Sequence, residues 1–204
     1  MNTYRISRVK EAMTSLSGKG FAPIHGDFAI IGDYPWGGGY FPDARANVQW
    51  DDEGLWVTMC ARETVISAHE TTFGGPVCKD SCLEFFVNPC PGKQDKYINF
   101  EINPRGTMHI GVGEGRHGRT VLTEMPADME LSVAKRENDW WAVRYHVTNR
   151  LIKELTGFDM EKQMRGNFYK CDESVHPHFG TWSPVVSVSP DFHRPECFGH
   201  LELI

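Results

Sequence analysis

The chain contains no apolar run of about 18 residues, the length a membrane-spanning helix requires, so no membrane partner is expected. It also lacks a basic excess: 21 Lys and Arg stand against 27 Asp and Glu, a formal charge of −6. Phosphate backbones are held by basic surfaces, and nucleic acid is therefore not an expected partner. The opening residues, Met1 to Arg8, lack the apolar core of a secretory signal. The expectation is a cytoplasmic protein, or one from which a signal has been removed. No repeat, low-complexity tract or linker divides the sequence. It reads as a polar N-terminal arm over 1–24, with an optional short helix from Ser7 to Ser17, followed by one domain over 25–204.

What is present favours β-structure. The 204 residues and 40% hydrophobic composition suffice for one sizeable core, and 20 Gly with 12 Pro mark many turns. Strands are expected at Ala44–Trp50 and Leu55–Ala61, joined by the turn Asp51–Gly54, and again at 80–88, 97–103 and Thr107–Val112. Leu131–Lys135 and Trp140–Thr148 form a further hairpin, and Asn149–Leu155 a helical turn or two with Asn149 as its cap. Gly166–Cys171, a short strand at Trp182–Val188 inside a long loop, and Phe198–Ile204 complete an antiparallel β-sandwich with long loops and little helix. The six cysteines, at 60, 78, 82, 90, 171 and 197, read as reduced thiols in a chain without a signal. Cys78 and Cys82, four apart in extended chain, are too distant for a disulfide.

The most informative pair of strands is Asp80-Ser-Cys-Leu-Glu84-Phe-Phe-Val and Tyr97-Ile-Asn-Phe-Glu-Ile-Asn103. Strand side chains alternate between faces. Ile98, Phe100 and Ile102 thus share a core face, while Tyr97, Asn99, Glu101 and Asn103 share the other. Amides and carboxylates on one face suit a polyhydroxyl ligand, and the function is placed there.

With those strands in order, the sequence resembles the family-9 carbohydrate-binding modules and their DOMON-like relatives over about residues 25–204. The resemblance is carried by Asn47-Val-Gln-Trp-Asp-Asp-Glu-Gly-Leu-Trp-Val57, by Asp80-Ser-Cys-Leu-Glu-Phe-Phe86, by the pair around Asn99–Gly106, by Thr181-Trp-Ser-Pro, and by the terminal Phe-Gly199-His-Leu-Glu-Leu-Ile204. It implies a β-sandwich that binds saccharide without catalysis, in carbohydrate catabolism, by stacking a sugar ring between two tryptophans and reading its hydroxyls with polar side chains. Glu84 stands at the family's hydroxyl-binding Glu and Asn103 at an amide of its site. Glu101 stands where an Arg is expected, Cys78 where the first clamp tryptophan would be, and Phe192 at the second. The expected ligand residues are therefore Glu84, Asn99, Glu101, Asn103 and Phe192. Trp36, set in a Gly-rich loop, and His178, at the rim, complete the set. The family also implies structural calcium, for which Asp51, Asp52 and Glu53 are the residues at hand, although a solvated hairpin turn accounts for them as well.

Two other readings use the same chain. If Glu84 and Glu101 share a face, a paired-carboxylate glycoside hydrolase is conceivable. Asp172, His176, His178 and His193 with Cys171 and Cys197 contain zinc-ligand types, without a familiar zinc spacing, and give the reading of a metal-binding or interaction domain. Arg116, His117 and Arg119 read as a flexible, solvated loop. Trp50, Trp56, Trp141 and Trp182 read as core residues.

Overall fold

A computed structural model describes residues 1–9, 27–135 and 139–204. Its strands are β1 (Thr3–Arg8), β2 (Ala29–Ile30), β3 (Asp43–Asp51), β4 (Gly54–Arg62), β5 (Cys82–Asn88), β6 (Tyr97–Ile102) and β7 (Met108–Gly113). They continue as β8 (Thr120–Val121), β9 (Leu131–Lys135), β10 (Trp140–Thr148), β11 (Gln163–Asp172), β12 (His178–Thr181) and β13 (Gly199–Leu203), with one helix, α1 (Asn149–Thr156). No described helix is long and apolar enough to cross a membrane.

The strands run in the order β8-β7-β6-β5-β11-β13-β1-β3-β4-β10-β9, with β12 on β11 and β2 on β3. This single sheet curls until its two halves face each other across the core, giving the sandwich expected. The seam is β1, which pairs in parallel with β13 on one side and with β3 on the other. Residues 3–8, expected as an arm, thus form the strand that joins the halves; Tyr4 and Ile6 are buried in the core. Their alternation with Thr3, Arg5 and Ser7 is a period-two pattern too short to outweigh the polar neighbours. Most of the helix expected from Ser7 to Ser17 falls outside the described residues, as does most of the turn at 136–139.

Between the halves, Leu83, Phe85 and Val87 of β5 meet Val57 and Met59 of β4 and Val143 and Tyr145 of β10. Trp141 and Trp182 are buried there, whereas Trp56 lies outside, stacked on His146 at 4.2 Å beneath Arg144. The helix cap is Thr148, whose Oγ1 accepts from the Leu151 amide at 3.0 Å; Asn149 donates instead to the Asp52 carbonyl. The late strand is His178–Thr181, and residues 182–188 run as loop. Trp182 and Val185 there supplied apolar spacing without the ladder that defines a strand.

One end of the interior is polar. Lys170, fully buried on β11, donates from Nζ to the Glu63 carboxylate at 2.9 Å and to the Cys171 carbonyl at 2.6 Å. Glu63 also receives Trp141 Nε1 and Ser81 Oγ. Removing one partner of such a buried pair leaves a charge without solvent or counter-ion. Lys170→Met is expected to lower unfolding stability by about 3–5 kcal/mol, measured as a shift of the urea midpoint at unchanged slope. A loss under 1 kcal/mol would mean that Glu63 finds another partner.

Candidate functional site

Every residue of β5 is buried, because its outward face is covered as completely as its inward one. The cover is a second apolar cluster outside the sheet: Phe86, Tyr97, Tyr169 and Cys171 from the strands, against Val77, Val185, Phe192 and Phe198 from the connecting segments. Specific bonds hold the 183–198 segment down. Asn167 and the Ser183 backbone exchange two hydrogen bonds of 2.8 Å, Tyr169 Oη donates to the Phe192 carbonyl at 3.0 Å, and Arg116 pairs with Asp191 at 2.8 Å. Tyr97 Oη and His193 Nδ1 share a further bond of 2.8 Å.

Where this cover is incomplete, a cavity of about 140 Å³ opens on the sheet. That is near the roughly 150 Å³ of a cavity that admits one benzene-sized ring. Its floor is Glu84, Glu101 and Cys171, with Cys78 beside them; Phe86, Phe179 and Phe192 form apolar walls, and Arg116, Asp191 and His193 lie at the mouth. Glu84 and Glu101 are direct cross-strand partners, so the pleat alone places both carboxylates on one face.

Burial raises the pKa of Glu84 well above the ordinary carboxylate range, with the neighbouring Glu101 acting in the same direction. The Cys171 thiol, donating to Glu84 at 3.0 Å, opposes it. Glu101 is also raised by burial, against the pull of His109, Asn99 and Arg119. Burial lowers His193 to about 4, helped by Arg119 and Arg116. Its ring is therefore neutral at neutral pH.

Asn99 acts through Glu101: its Nδ2 donates to Glu101 Oε1 at 2.8 Å, while its Oδ1 accepts from Arg119. Arg119 lies over the Tyr97 ring at 4.2 Å and bonds the carbonyls of Tyr97, Gly111, Gly113 and Gly115. It is a clamp on the loop rather than the solvated side chain expected. A Cβ at Gly111 would sit 2.6 Å from Asn99 Oδ1, so the bare backbone of β7 makes room for this arrangement.

Of the expected ligand residues, Glu84, Glu101 and Phe192 line the cavity. Phe192 is stacked on Tyr169 at 4.1 Å. Trp36 stands behind the wall, 5.9 Å from Phe192 and 6.2 Å from Phe179, with its Nε1 bonded to the Ser187 carbonyl. Asn103 lies past the end of β6. Its Nδ2 bonds Asp80 and the Glu70 carbonyl, and its Oδ1 accepts from the amides of Arg105 and Thr107, so it organises a turn. His178 faces the interior, its Nε2 3.7 Å from Glu63, because it pairs with Asp172 one residue out of phase with Phe179. The wall residue missed as a firm choice was Phe179; the strand register that aims it at the cavity was placed too late in the sequence.

The metal readings separate similarly. His193 bonds Tyr97, His178 bonds the His176 carbonyl, and Asp172 bonds Ser174, so these groups do not converge. Asp51 accepts from the amides of Glu53 and Gly54 and from Trp56 Nε1, while Asp52 pairs with exposed Arg8. Asp51 is thus committed to the turn and Asp52 to Arg8, and the hairpin carboxylates do not converge as oxygen ligands for calcium. All six cysteines are free thiols.

A curled β-sandwich with an acidic, aromatic-walled cavity on one outer face is the architecture of a carbohydrate-binding module. Residues 26–203 match the model of carbohydrate-binding family 9, and the chain belongs to that family of non-catalytic binding domains. Among solved structures it is similar to a candidate carbohydrate-binding protein from Bacteroides uniformis, with 22% identity, TM-score 0.80 and coverage of 99% of both chains. It is also similar to a family-9 module from Caldicellulosiruptor kristjanssonii solved with glucose, at 13% identity and TM-score 0.67, covering 100% of this chain and 96% of that one. The same comparison with a family-9 module from that organism solved with cellotriose gives 13% identity, TM-score 0.65 and coverage of 99% and 93%. At these identities the likeness is one of fold. No curated protein matches the sequence.

The raised pKa of Glu84 makes a signed prediction. In acid both folded and unfolded states hold the proton. As pH rises past about 4.3 the unfolded carboxyl ionises while the buried one does not, so stability falls, by at most about 1.4 kcal/mol per pH unit for one proton. The decline stops when the folded pKa is reached. Glu84→Gln lacks this cost, so its stability relative to the native chain should rise from pH 4 to 7. Urea midpoints across that range test it; a constant difference would show that Glu84 ionises normally in the fold.

Proposed function

We propose that the protein holds a single saccharide ring in this cavity and does no chemistry on it. The observation that carries the reading is the pair of buried carboxylates, Glu84 and Glu101, facing a ring-sized space with phenyl walls. A sugar hydroxyl both donates and accepts. Burial favours the protonated form of both Glu84 and Glu101, and a protonated carboxyl likewise donates and accepts. Phe192, stiffened by its stack on Tyr169, offers an apolar edge to the sugar ring, and Phe179, packed edge-on against Phe192, extends that wall. Asn99 keeps Glu101 oriented, so the polar groups are largely set before a ligand arrives, which limits the ordering cost of binding.

Of the family's pair of indoles, one position is Cys78 and the other Phe192, which together present less apolar area. At about 25 cal/mol per Å², losing a large aromatic face removes about 1–3 kcal/mol, so affinity should be modest. The relatives solved with glucose and with cellotriose supply the first probes, within a panel of mono- and oligosaccharides. Calorimetric titration is expected to show saturable binding to at least one, weakened roughly ten- to hundredfold by Phe192→Ala. Binding that survives Phe192→Ala unchanged would move the site off this wall. No heat at millimolar concentration across the panel would overturn the saccharide reading.

The cross-strand register of Glu84 and Glu101 also favours a second reading, a glycoside hydrolase with one residue as acid and the other as nucleophile or base. Turnover of aryl glycosides that disappears in both Glu84→Gln and Glu101→Gln would establish it. Turnover that is absent, or unchanged in the variants, excludes it.

A further inference from the structure

At the cavity floor Glu84 meets two thiols, Cys82 and Cys171, that the saccharide reading does not use. Cys82 and Cys171 are direct partners across β5 and β11, and Glu84 lies two residues beyond Cys82 on the same face. The Sγ atoms of Cys82 and Cys171 and a carboxylate oxygen of Glu84 all lie within 4.8 Å of one another, and all three residues are buried. Among the described residues this is the group whose ligand atoms converge in this way.

We propose that Cys82, Cys171 and Glu84 form a site for a thiophilic divalent cation of the Zn²⁺ class, with its fourth position open to the cavity. Metal–sulfur bonds of about 2.3 Å and metal–oxygen bonds of about 2.0–2.2 Å place tetrahedral ligand atoms roughly 3.5–3.8 Å apart. The observed convergence needs only small side-chain adjustment to meet that. Two sulfurs and one oxygen select a soft or borderline ion over calcium or magnesium, which take oxygen cages. The arrangement of three protein ligands with one open position is that of zinc sites which also hold an exogenous group.

The surroundings supply charge for such a site. Two thiolates and a carboxylate carry three negative charges against the ion's two positive ones. Lys170, adjacent to Cys171 and bonded to its carbonyl, sits behind the strand, and its charge favours the ionised form of both thiols. Without metal the group is costly. Each thiol is held protonated, Cys82 chiefly by burial and Cys171 chiefly by the Cys82 sulfur beside it and then by burial, and Glu84's carboxyl is desolvated with the Cys171 thiol as its described partner. On binding, the two thiols and the Glu84 carboxyl each give their proton to solvent, and a lone pair from each sulfur and from a carboxylate oxygen goes to the metal, with no change of oxidation state. The proposal does not depend on the saccharide reading, and its test contains no sugar.

The experiment is titration of reduced, chelator-stripped protein with Cd²⁺ alone, followed by thiolate-to-metal absorption in the ultraviolet, with Zn²⁺ as competitor. One equivalent of Cd²⁺ should give the band, and Zn²⁺ should displace it. Cys171→Ser, which keeps a donor to Glu84, should abolish it, as should Cys82→Ala. Glu84→Gln, which keeps both thiols, should weaken Cd²⁺ at least tenfold. Cys90→Ser, remote from the cavity, should leave the band intact. Near-ultraviolet circular dichroism verifies that each variant is folded, and Glu84→Gln alone decides if a cysteine variant is not. Absence of the band in the native chain, its persistence in folded Cys171→Ser, or undiminished affinity in Glu84→Gln would each overturn the site.

Discussion

The two-residue pleat of β5, β6 and β11 is the constraint on which the rest of the structure depends. On each strand it sends one set of side chains into the sandwich and the other set outward. Leu83, Phe85 and Val87 fill the core, while Cys82, Glu84 and Phe86 stand on the opposite face. A half-exposed sheet would leave those outward groups in water, where a carboxylate is ordinary. Here the 172–198 segment folds back over them, and the outward face becomes a second interior. That enclosure raises Glu84 and Glu101, lowers His193 and leaves a cavity rather than a flat surface.

The cover and the core are built from different physics. The core is closed by apolar contact between the curled halves of one sheet. The cover is apolar too, with Tyr169, Phe179 and Trp36 packed around Phe192, but its position is set by a few polar bonds. Asn167 to Ser183, Tyr169 to the Phe192 carbonyl, and Tyr97 to His193 fix which part of the loop lies over which strand. Buried hydrogen bonds of this kind are modest in net energy and costly to leave unmade, which makes them effective at selecting one arrangement. Arg119 serves the same end from the other edge, tying the β7–β8 connection to Tyr97 and Asn99.

Saccharide binding and metal coordination draw on the same site. A saccharide needs preset hydroxyl partners and apolar walls, and a soft cation needs the two thiols beside Glu84. Glu84 belongs to both sets, with one side toward Cys171 and the cavity above it. An ion held there would fix the carboxylate and offer its open position to an oxygen of a bound molecule. The polar group around Glu63 and Lys170 is separate, inside the sandwich, and its part is to hold β11 and the end of β4 together.

Local pattern was legible wherever it repeated within one strand. The hairpin Ala44–Ala61, the strands at 82–88 and 97–102, and the placement of Glu84 and Glu101 on one face all follow from alternation and turn chemistry, which are properties of adjacent residues. Three things were not local. The parallel seam made by residues 3–8 depends on strands about 40 and 200 residues away in sequence. The phase of β12, which turns Phe179 toward the cavity and His178 away, depends on pairing with β11. The fate of Asn103, taken up by Asp80 and the turn after β6, depends on a loop that passes beside it. The sequence by itself determined the strands and the side each residue faces, because the pleat is a covalent-scale rule. Only the tertiary structure decided which outward faces are covered, since that depends on where distant loops come to rest, and burial converts two ordinary glutamates into a site.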